Sequence, residues 1–299
     1  MILLNIQQYP PPAKARLIAF TTPENYAGKL SRLIQVKGWT PLWCPTIAVE
    51  STASTVGALR RYVQPPDPIL REFAAVAFTS RTGITAFAEA IHSSGGSPPL
   101  DPTGEIFTIS ALGKDAELLD DSFIKSLCEN AARIRVLVPA VATPSALAEA
   151  LGSGEGRRKV LCPVPVVIGL EEPPVVPKFL TDLHRRGWIP VRVDAYETRR
   201  SHNGTGKLVE AMAAGAECKV DAIVFTSTAE VEGLLKSLQE IGLDWETIRR
   251  TCPGMVAAAQ GPVTAAGAEQ LGVGIDVVSS RFDSFDGVVD ALEYKWQNG

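Results

Sequence analysis

Tyr196 sits in the run Val193-Asp194-Ala195-Tyr196-Glu197-Thr198, whose alternating character is that of a strand. A phenol has a reference pKa of about 10, so it stays protonated at neutral pH and can donate a hydrogen bond or act as a weak general acid. A strand tyrosine can equally pack at a sheet edge with its hydroxyl in water. Two further stretches share one word: Ala75-Val76-Ala77-Phe78-Thr79-Ser80, and Ala222-Ile223-Val224-Phe225-Thr226-Ser227. Each is an apolar run ending in Thr-Ser before a helical pattern, the mark of a strand handing over to a helix N-terminus. Orphan N–H groups and the positive end of the helix dipole make such a junction an anion site in an α/β sheet. Thr79, Ser80, Thr226 and Ser227 would add hydroxyls for a carboxylate, and Gly261-Pro262-Val263-Thr264 opens a comparable helix. Plain N-capping selects the same residue types, and the two roles are compatible. A junction that occurs twice suggests two similar halves facing one ligand.

Such a site needs a scaffold, and 299 residues predict about two domains of roughly 150 each. Hydrophobic residues make up 45% and charged residues 21%, and no apolar run approaches the roughly 18 residues of a membrane span. A net charge of −4 argues against nucleic-acid or anionic-membrane partners, because an acidic surface gains nothing from counterion release. An anionic ligand must then be held by local dipoles and a few placed cations.

Five cysteines, Cys44, Cys128, Cys162, Cys218 and Cys252, are scattered, odd in number and without a C-x-x-C pair. They read as small buried hydrophobes in a reducing compartment, neither a disulfide frame nor a zinc site. His92, His184 and His202 are the only histidines, and none lies at ligand spacing from another His or Cys, so no metal site is expected. Met1 to Arg16 lacks a basic n-region and a long apolar core. This leaves localisation open between cytoplasm and plastid and speaks against secretion.

Strand and helix periods alternate almost throughout. Leu17 to Thr21 reads as a strand, Pro23 to Gly38 as a helix, and Trp39 to Glu50 as an extended, Pro-punctuated segment before the N-cap run Ser51-Thr52-Ala53-Ser54. The first Phe-Thr-Ser strand is followed by a helix to about Ser93, a Gly/Pro/Ser loop to Gly104, and a strand from Ile106 to Ala111. That strand feeds Gly113-Lys114-Asp115 and a helix, and Val136 to Pro139 feeds a helix capped by Thr143-Pro144. Val160 to Pro163 reads as a strand, Pro174 to Arg186 as a helix, and Ile189 to Thr198 as a long extended segment. After a polar loop come a helix from Lys207, the second Phe-Thr-Ser strand and a helix to Ile241. Met255 to Ala259 and Ile275 to Ser279 are then strands, and the last helix starts at Ser284. The alternation predicts parallel, doubly wound sheets with right-handed crossovers.

The first βα unit is too small for a sheet of its own, while the part after Arg200 holds three strands. The N-terminal unit is therefore expected to join the C-terminal third, with residues 1–45 and 200–299 forming one discontinuous domain and 52–190 an inserted one. Residues 42–50 and 191–199 would be the crossings, paired antiparallel, with a hinged cleft between the domains. Thr21 and Thr22, at the end of the first strand, are expected to face that cleft.

Phe78-Thr79-Ser80, Gly113 before its helix, Val193 to Thr198, Phe225-Thr226-Ser227 and Gly261-Pro262-Val263-Thr264-Ala265-Ala266 fall in an order that resembles the uroporphyrinogen-III synthase family. The likeness runs from Leu17 to Trp296, and the Tyr-x-Thr strand with the Gly-Pro-x-Thr-Ala helix start is its most specific pair. The resemblance implies an α/β fold of two flavodoxin-like parallel-sheet domains joined by a two-stranded linker. It also implies a cofactor-free lyase of haem and chlorophyll synthesis. Its substrate would be hydroxymethylbilane, a linear tetrapyrrole with eight carboxylates that loses a hydroxyl, closes through a spiro intermediate and reopens with its last ring inverted. Hand-over from porphobilinogen deaminase and a monomeric state go with that expectation.

Under this resemblance Tyr196 is the proton or hydrogen-bond donor, and Thr21, Thr22, Thr79, Ser80, Gly113, Lys114, Thr226, Ser227, Gly261 and Thr264 hold substrate. Three positions depart from the family habit: Thr22 where an Arg is usual, Lys114-Asp115-Ala116-Glu117 where a Thr follows Gly113 by a turn, and Gln260 where an apolar residue precedes the Gly-Pro. These departures favour an alternative reading, a non-catalytic bilobal relative that binds a small anion or tetrapyrrole as sensor or carrier. Arg199 and Arg200, just beyond Tyr196, are the candidate functional cations. Gly152 to Gly156 lacks the Gly-Lys-Ser/Thr ending of a phosphate loop and reads as a turn.

Overall fold

The computed structural model describes residues 16–95, 97–156, 158–213, 218–282 and 284–298. The N-terminal reading of Met1 to Arg16 thus lies outside the described residues but for Arg16. The chain begins with β1 (Leu17–Phe20), α1 (Glu24–Val36) and β2 (Thr40–Trp43), then crosses through β3 (Ile47–Glu50). In the middle come α2 (Ala53–Val63), β4 (Phe73–Ala77), α3 (Arg81–His92), β5 (Phe107–Ser110), α4 (Asp121–Leu127), β6 (Ile134–Leu137), α5 (Pro144–Ala150), β7 (Lys159–Ile168) and α6 (Val175–Arg185). The long strand β8 (Ile189–Arg200) leads back to α7 (Asn203–Ala213), β9 (Val220–Phe225), α8 (Thr228–Glu240), α9 (Trp245–Thr251), β10 (Val256–Ala259), α10 (Pro262–Gln270), β11 (Val277–Val278) and α11 (Asp286–Asn298).

Two sheets result. One has the order β11-β10-β9-β1-β2, all parallel, and is built from both ends of the described chain. The other has the order β3-β8-β7-β4-β5-β6 and is parallel except for the β3–β8 pair. Strands buried on both faces need to be apolar throughout, and Ile18, Ala19, Phe20, Ala222, Ile223, Val224 and Phe225 are all fully buried. The core of the first sheet splits between its faces. Leu30, Ile34, Val288 and Leu292 cover one, and Leu208, Leu234, Leu238 and Ile248 cover the other.

The crossings pair antiparallel, Ile47 opposite Arg200 through Glu50 opposite Glu197. Strand β7 runs on beside β8 to Ile168 opposite Arg199, so the crossing ladder continues the second sheet without a break. Pro163 and Pro165 are tolerated in β7 because its pairing with β4 stops at Leu161, leaving that edge with no ladder donor to lose. The N-caps follow the sequence reading. Thr52, Ser80, Thr143 and Ser227 each accept from the backbone N–H three residues on.

Two local expectations change. Gly113 opens a 3-10 turn (Gly113–Leu118), with α4 starting only at Asp121 behind its own cap, Asp120. Cys218 and Cys252 form a disulfide, which corrects the reading of five free thiols; their Cα atoms lie 5.2 Å apart across 34 residues of sequence. That pair is made by the packing of α9 beside the start of β9, which no spacing rule in the sequence encodes. Cys44, Cys128 and Cys162 are the buried thiols expected, and burial pushes the Cys44 thiol up to about 12 and that of Cys162 higher still.

Candidate functional site

A cleft of about 890 Å³ lies between the two sheets, within the range of roughly 300–1,000 Å³ usual for small-molecule sites. Both halves line it. Tyr26 and Lys29 come from α1, Thr226, Ser227 and Glu230 from the start of α8, and Gln260 and Phe285 from later in the same half. Ser80, Arg81 and Thr82 come from the start of α3, Lys114 and Asp115 from the 3-10 turn, and Tyr196 and Thr198 from β8.

Tyr196 and Thr198 are two apart on a strand and share a face, whereas Glu197 points away to accept from the Thr52 hydroxyl at 2.9 Å. The Tyr196 side chain is almost wholly buried, and its hydroxyl meets Ser80 Oγ at 2.8 Å. Burial pushes the phenol up to about 12, against the lowering effect of the Ser80 bond, and the nearby Tyr26 and Asp115 push the same way as burial. Ser80 Oγ accepts from Gly83 N at 3.1 Å, which fixes it as the α3 cap. Gly83 itself permits the approach, because a Cβ there would lie 3.2 Å from the Pro163 carbonyl oxygen.

Tyr26 is a second phenol in the cleft, seated edge-on against Phe285 with ring centroids 5.9 Å apart. Burial raises its pKa, a hydrogen bond with the Thr82 side chain opposes this, and the Asp115 charge adds to the rise. Tyr26 and Thr82 belong to opposite halves of the cleft lining. Arg81 pairs with Asp115 at 3.7 Å; burial raises the Asp115 carboxyl and Arg81 lowers it. The charged lining residues are three cations, Lys29, Arg81 and Lys114, and three acids, Asp115, Glu117 and Glu230. With the signs balanced, selectivity for an anion must come from where those charges and the N–H groups sit.

The second junction differs. Glu230 is 1% exposed, and its carboxylate accepts from Thr21 Oγ1 at 2.7 Å, Thr226 N at 2.9 Å, Thr226 Oγ1 at 2.5 Å and Ser227 Oγ at 3.2 Å. Burial raises the Glu230 carboxyl pKa against those four bonds.

Of the residues given catalytic or substrate-holding roles in the sequence, Ser80, Lys114, Tyr196, Thr226 and Ser227 line the cleft. The others do not. Thr21 is fully buried and donates to Glu230, and Thr22 is fully buried with its hydroxyl unpartnered, so neither faces a ligand. Thr79 is half-buried beneath the junction. Gly113 shapes its turn, with φ +48° and Ala142 Cβ 3.2 Å from where its own Cβ would be. Gly261 packs under Phe282, and Thr264 Oγ1 donates to the Thr226 carbonyl at 3.2 Å, bracing the second junction from behind. Arg199 pairs with Glu50 and Arg200 with Glu240, which takes both expected cations away from the cleft. Lys29 and Tyr26 had no signal of their own in sequence, whereas Arg81 and Glu230 closely follow the two Thr-Ser steps and could have been found there.

The sequence profile described as "Uroporphyrinogen-III synthase HemD" matches residues 28–288. Among solved structures, a mutant uroporphyrinogen III synthase from the extremely thermophilic bacterium Thermus thermophilus is similar over 95% of this chain and 100% of its own, with a TM-score of 0.57 and 19% identity. The wild-type protein of the same bacterium, in its form-2 crystal, covers 95% and 98% with a TM-score of 0.44 and 18% identity. No curated protein matches the sequence.

Proposed function

This chain belongs to the uroporphyrinogen-III synthase family, and we propose that it carries out the family reaction, closing hydroxymethylbilane with loss of one water and inversion of its last ring. The observation that carries this reading is the buried Tyr196–Ser80 pair, 2.8 Å apart in the wall of a cleft lined from both halves. The substrate is reactive enough to close unaided to the wrong isomer, so the protein must supply shape, carboxylate holders and one placed donor more than a strong nucleophile.

A short relay supplies the donor. Gly83 N–H donates to Ser80 Oγ, the Ser80 hydroxyl can in turn donate to the Tyr196 oxygen, and the phenol proton is then free to point at the departing hydroxyl. Each bond polarises the next. With its pKa near 12 the phenol is too weak an acid for full proton transfer at neutral pH, so its part is a hydrogen bond that strengthens as the C–O bond breaks. Arg81, Lys29, Lys114 and the α3 N-terminus are the candidate holders of the substrate carboxylates. In this reading the substrate is handed over by porphobilinogen deaminase.

The test generates hydroxymethylbilane in situ with that deaminase and resolves uroporphyrin I from III after oxidation. Isomer III is expected with the wild type, and a loss of at least about ten-fold in its rate with Tyr196→Phe. Isomer I alone with wild-type protein would sink the enzymatic reading and leave the chain a binding relative.

A further inference from the structure

The second Phe-Thr-Ser junction is already occupied. Helix α8 spans 13 residues from Thr228, with Ser227 as its cap and Glu230 three residues on. The Thr226 N–H, the Thr226 and Ser227 hydroxyls and the Thr21 hydroxyl are the donors that a bound carboxylate would use there, and all four point at Glu230 instead. Thr264 consumes the Thr226 carbonyl from behind, and the Thr46 hydroxyl takes the Glu230 carbonyl at 2.7 Å, so the junction is held on every side. Glu230, Thr226 and Ser227 nonetheless form part of the cleft wall, so the filled junction borders the cleft. At the first junction the corresponding position is Gly83, which has no side chain, and Arg81 stands at the helix start. One mouth presents a glycine and an Arg81–Asp115 pair to the cleft; the other is filled by the protein's own carboxyl group.

We infer that Glu230 is a specificity-determining residue: an internal carboxylate that closes the α8 seat, so that substrate carboxylates are taken on the α3 side and the chain enters in one orientation. This rests on the proposed reaction for its substrate, a polycarboxylate, but the closed seat itself is a property of the junction. Replacing Glu230 by Ala removes the resident anion, leaves its donors in place and joins the vacated space to the cleft.

The experiment uses the full chain and two probes. Thermal unfolding of wild type and Glu230→Ala is followed in potassium acetate and in potassium chloride at equal ionic strength. Acetate should raise the melting temperature of Glu230→Ala several degrees above its value in chloride and leave the wild type unmoved, as a ligand binding only the folded state does. Equal effects of the two salts on the variant would overturn the seat. Should Glu230→Ala not fold in chloride, recovery of folded protein in acetate supports the seat, and a Glu230→Gln variant as stable as wild type in chloride overturns it, since the charge would then be dispensable.

The second probe is uroporphyrin I, an octacarboxylate. It should bind Glu230→Ala at least about five-fold tighter than wild type, a second seat having opened. Equal or weaker binding alongside acetate rescue would overturn the one-sided cleft. Neither outcome bears on whether the wild type makes isomer III, so failure of this inference and failure of the proposed reaction remain distinguishable.

Discussion

At the first junction the Ser80 hydroxyl caps Gly83 N at 3.1 Å and meets a phenol at 2.8 Å, while at the second the Ser227 hydroxyl caps Glu230 N at 3.4 Å and donates to that residue's own carboxylate. The same three-residue word therefore ends in two chemistries. The difference that decides it is three places after the cap, a glycine in one case and a glutamate in the other, with Arg81 against Thr228 at the helix start. A helix N-terminus is an anion site only if the protein has not supplied the anion, and the cap residue alone does not say which case applies.

The largest way to separate the two mouths is Glu230→Ala. It strands several buried donors at once and should cost about 3 kcal/mol of stability in chloride, measured by denaturant unfolding. A cost below about 1 kcal/mol would mean that the second mouth is as open to water as the first.

Next in size is the titration of Tyr196. Its folded pKa of about 12 lies above the ordinary phenol value of 10.0, so its protonated form is favoured by folding. That stabilisation is fully present below pH 10 and lost as pH rises through about 12. A phenolate absorbance titration should show a late step near pH 12 that Tyr196→Phe removes. If the two curves coincide, the tyrosine is not sealed at the first mouth.

Paired cap substitutions sharpen the contrast further. Ser80→Ala and Ser227→Ala should each cost about 1 kcal/mol as lost caps. Only Ser80→Ala also removes the partner of Tyr196, so isomer III formation should fall about ten-fold there and stay within about two-fold of wild type in Ser227→Ala. Matching losses in both would erase the functional difference between the mouths.

The smallest effect is expected from Tyr26→Phe, which keeps the ring on Phe285 and removes only the hydroxyl from the cleft wall. It should change stability by about 1 kcal/mol or less and appear chiefly in KM, because the Tyr26 hydroxyl stands in the cleft wall.

The parts of this molecule that were legible in its sequence are those whose cause is local. Strand-to-helix handovers announce themselves through apolar runs and caps, which is why Ser80, Thr143 and Ser227 could be assigned as they stand in the structure. Tyr196 was legible because two-residue periodicity sets its face and the Tyr-x-Thr run fits the family resemblance. Thr21 turns away from the cleft because its hydroxyl donates to a buried acid more than 200 residues away, a partner that no local pattern reveals. Glu230 stood in plain view after the second Thr-Ser, but an acid in a first helical turn reads as dipole compensation until its donors are known. The Cys218–Cys252 bond and the diversion of Arg199 and Arg200 are likewise products of packing between distant segments.

Helix α8 ties the filled mouth to the other half of the molecule. Two residues after Glu230, the Glu232 carboxylate accepts from Glu171 N at 2.9 and 3.0 Å and pairs with Lys236 at 2.7 Å, and Lys236 in turn donates to the Gly169 carbonyl at 3.0 Å. Between them Gly233 lies against the crossing segment, where a Cβ would come within 2.5 Å of the Thr46 carbonyl oxygen. Within two turns, one helix thus carries the buried carboxylate of the cleft wall, the close approach to the crossing segment and the bonds to the other half.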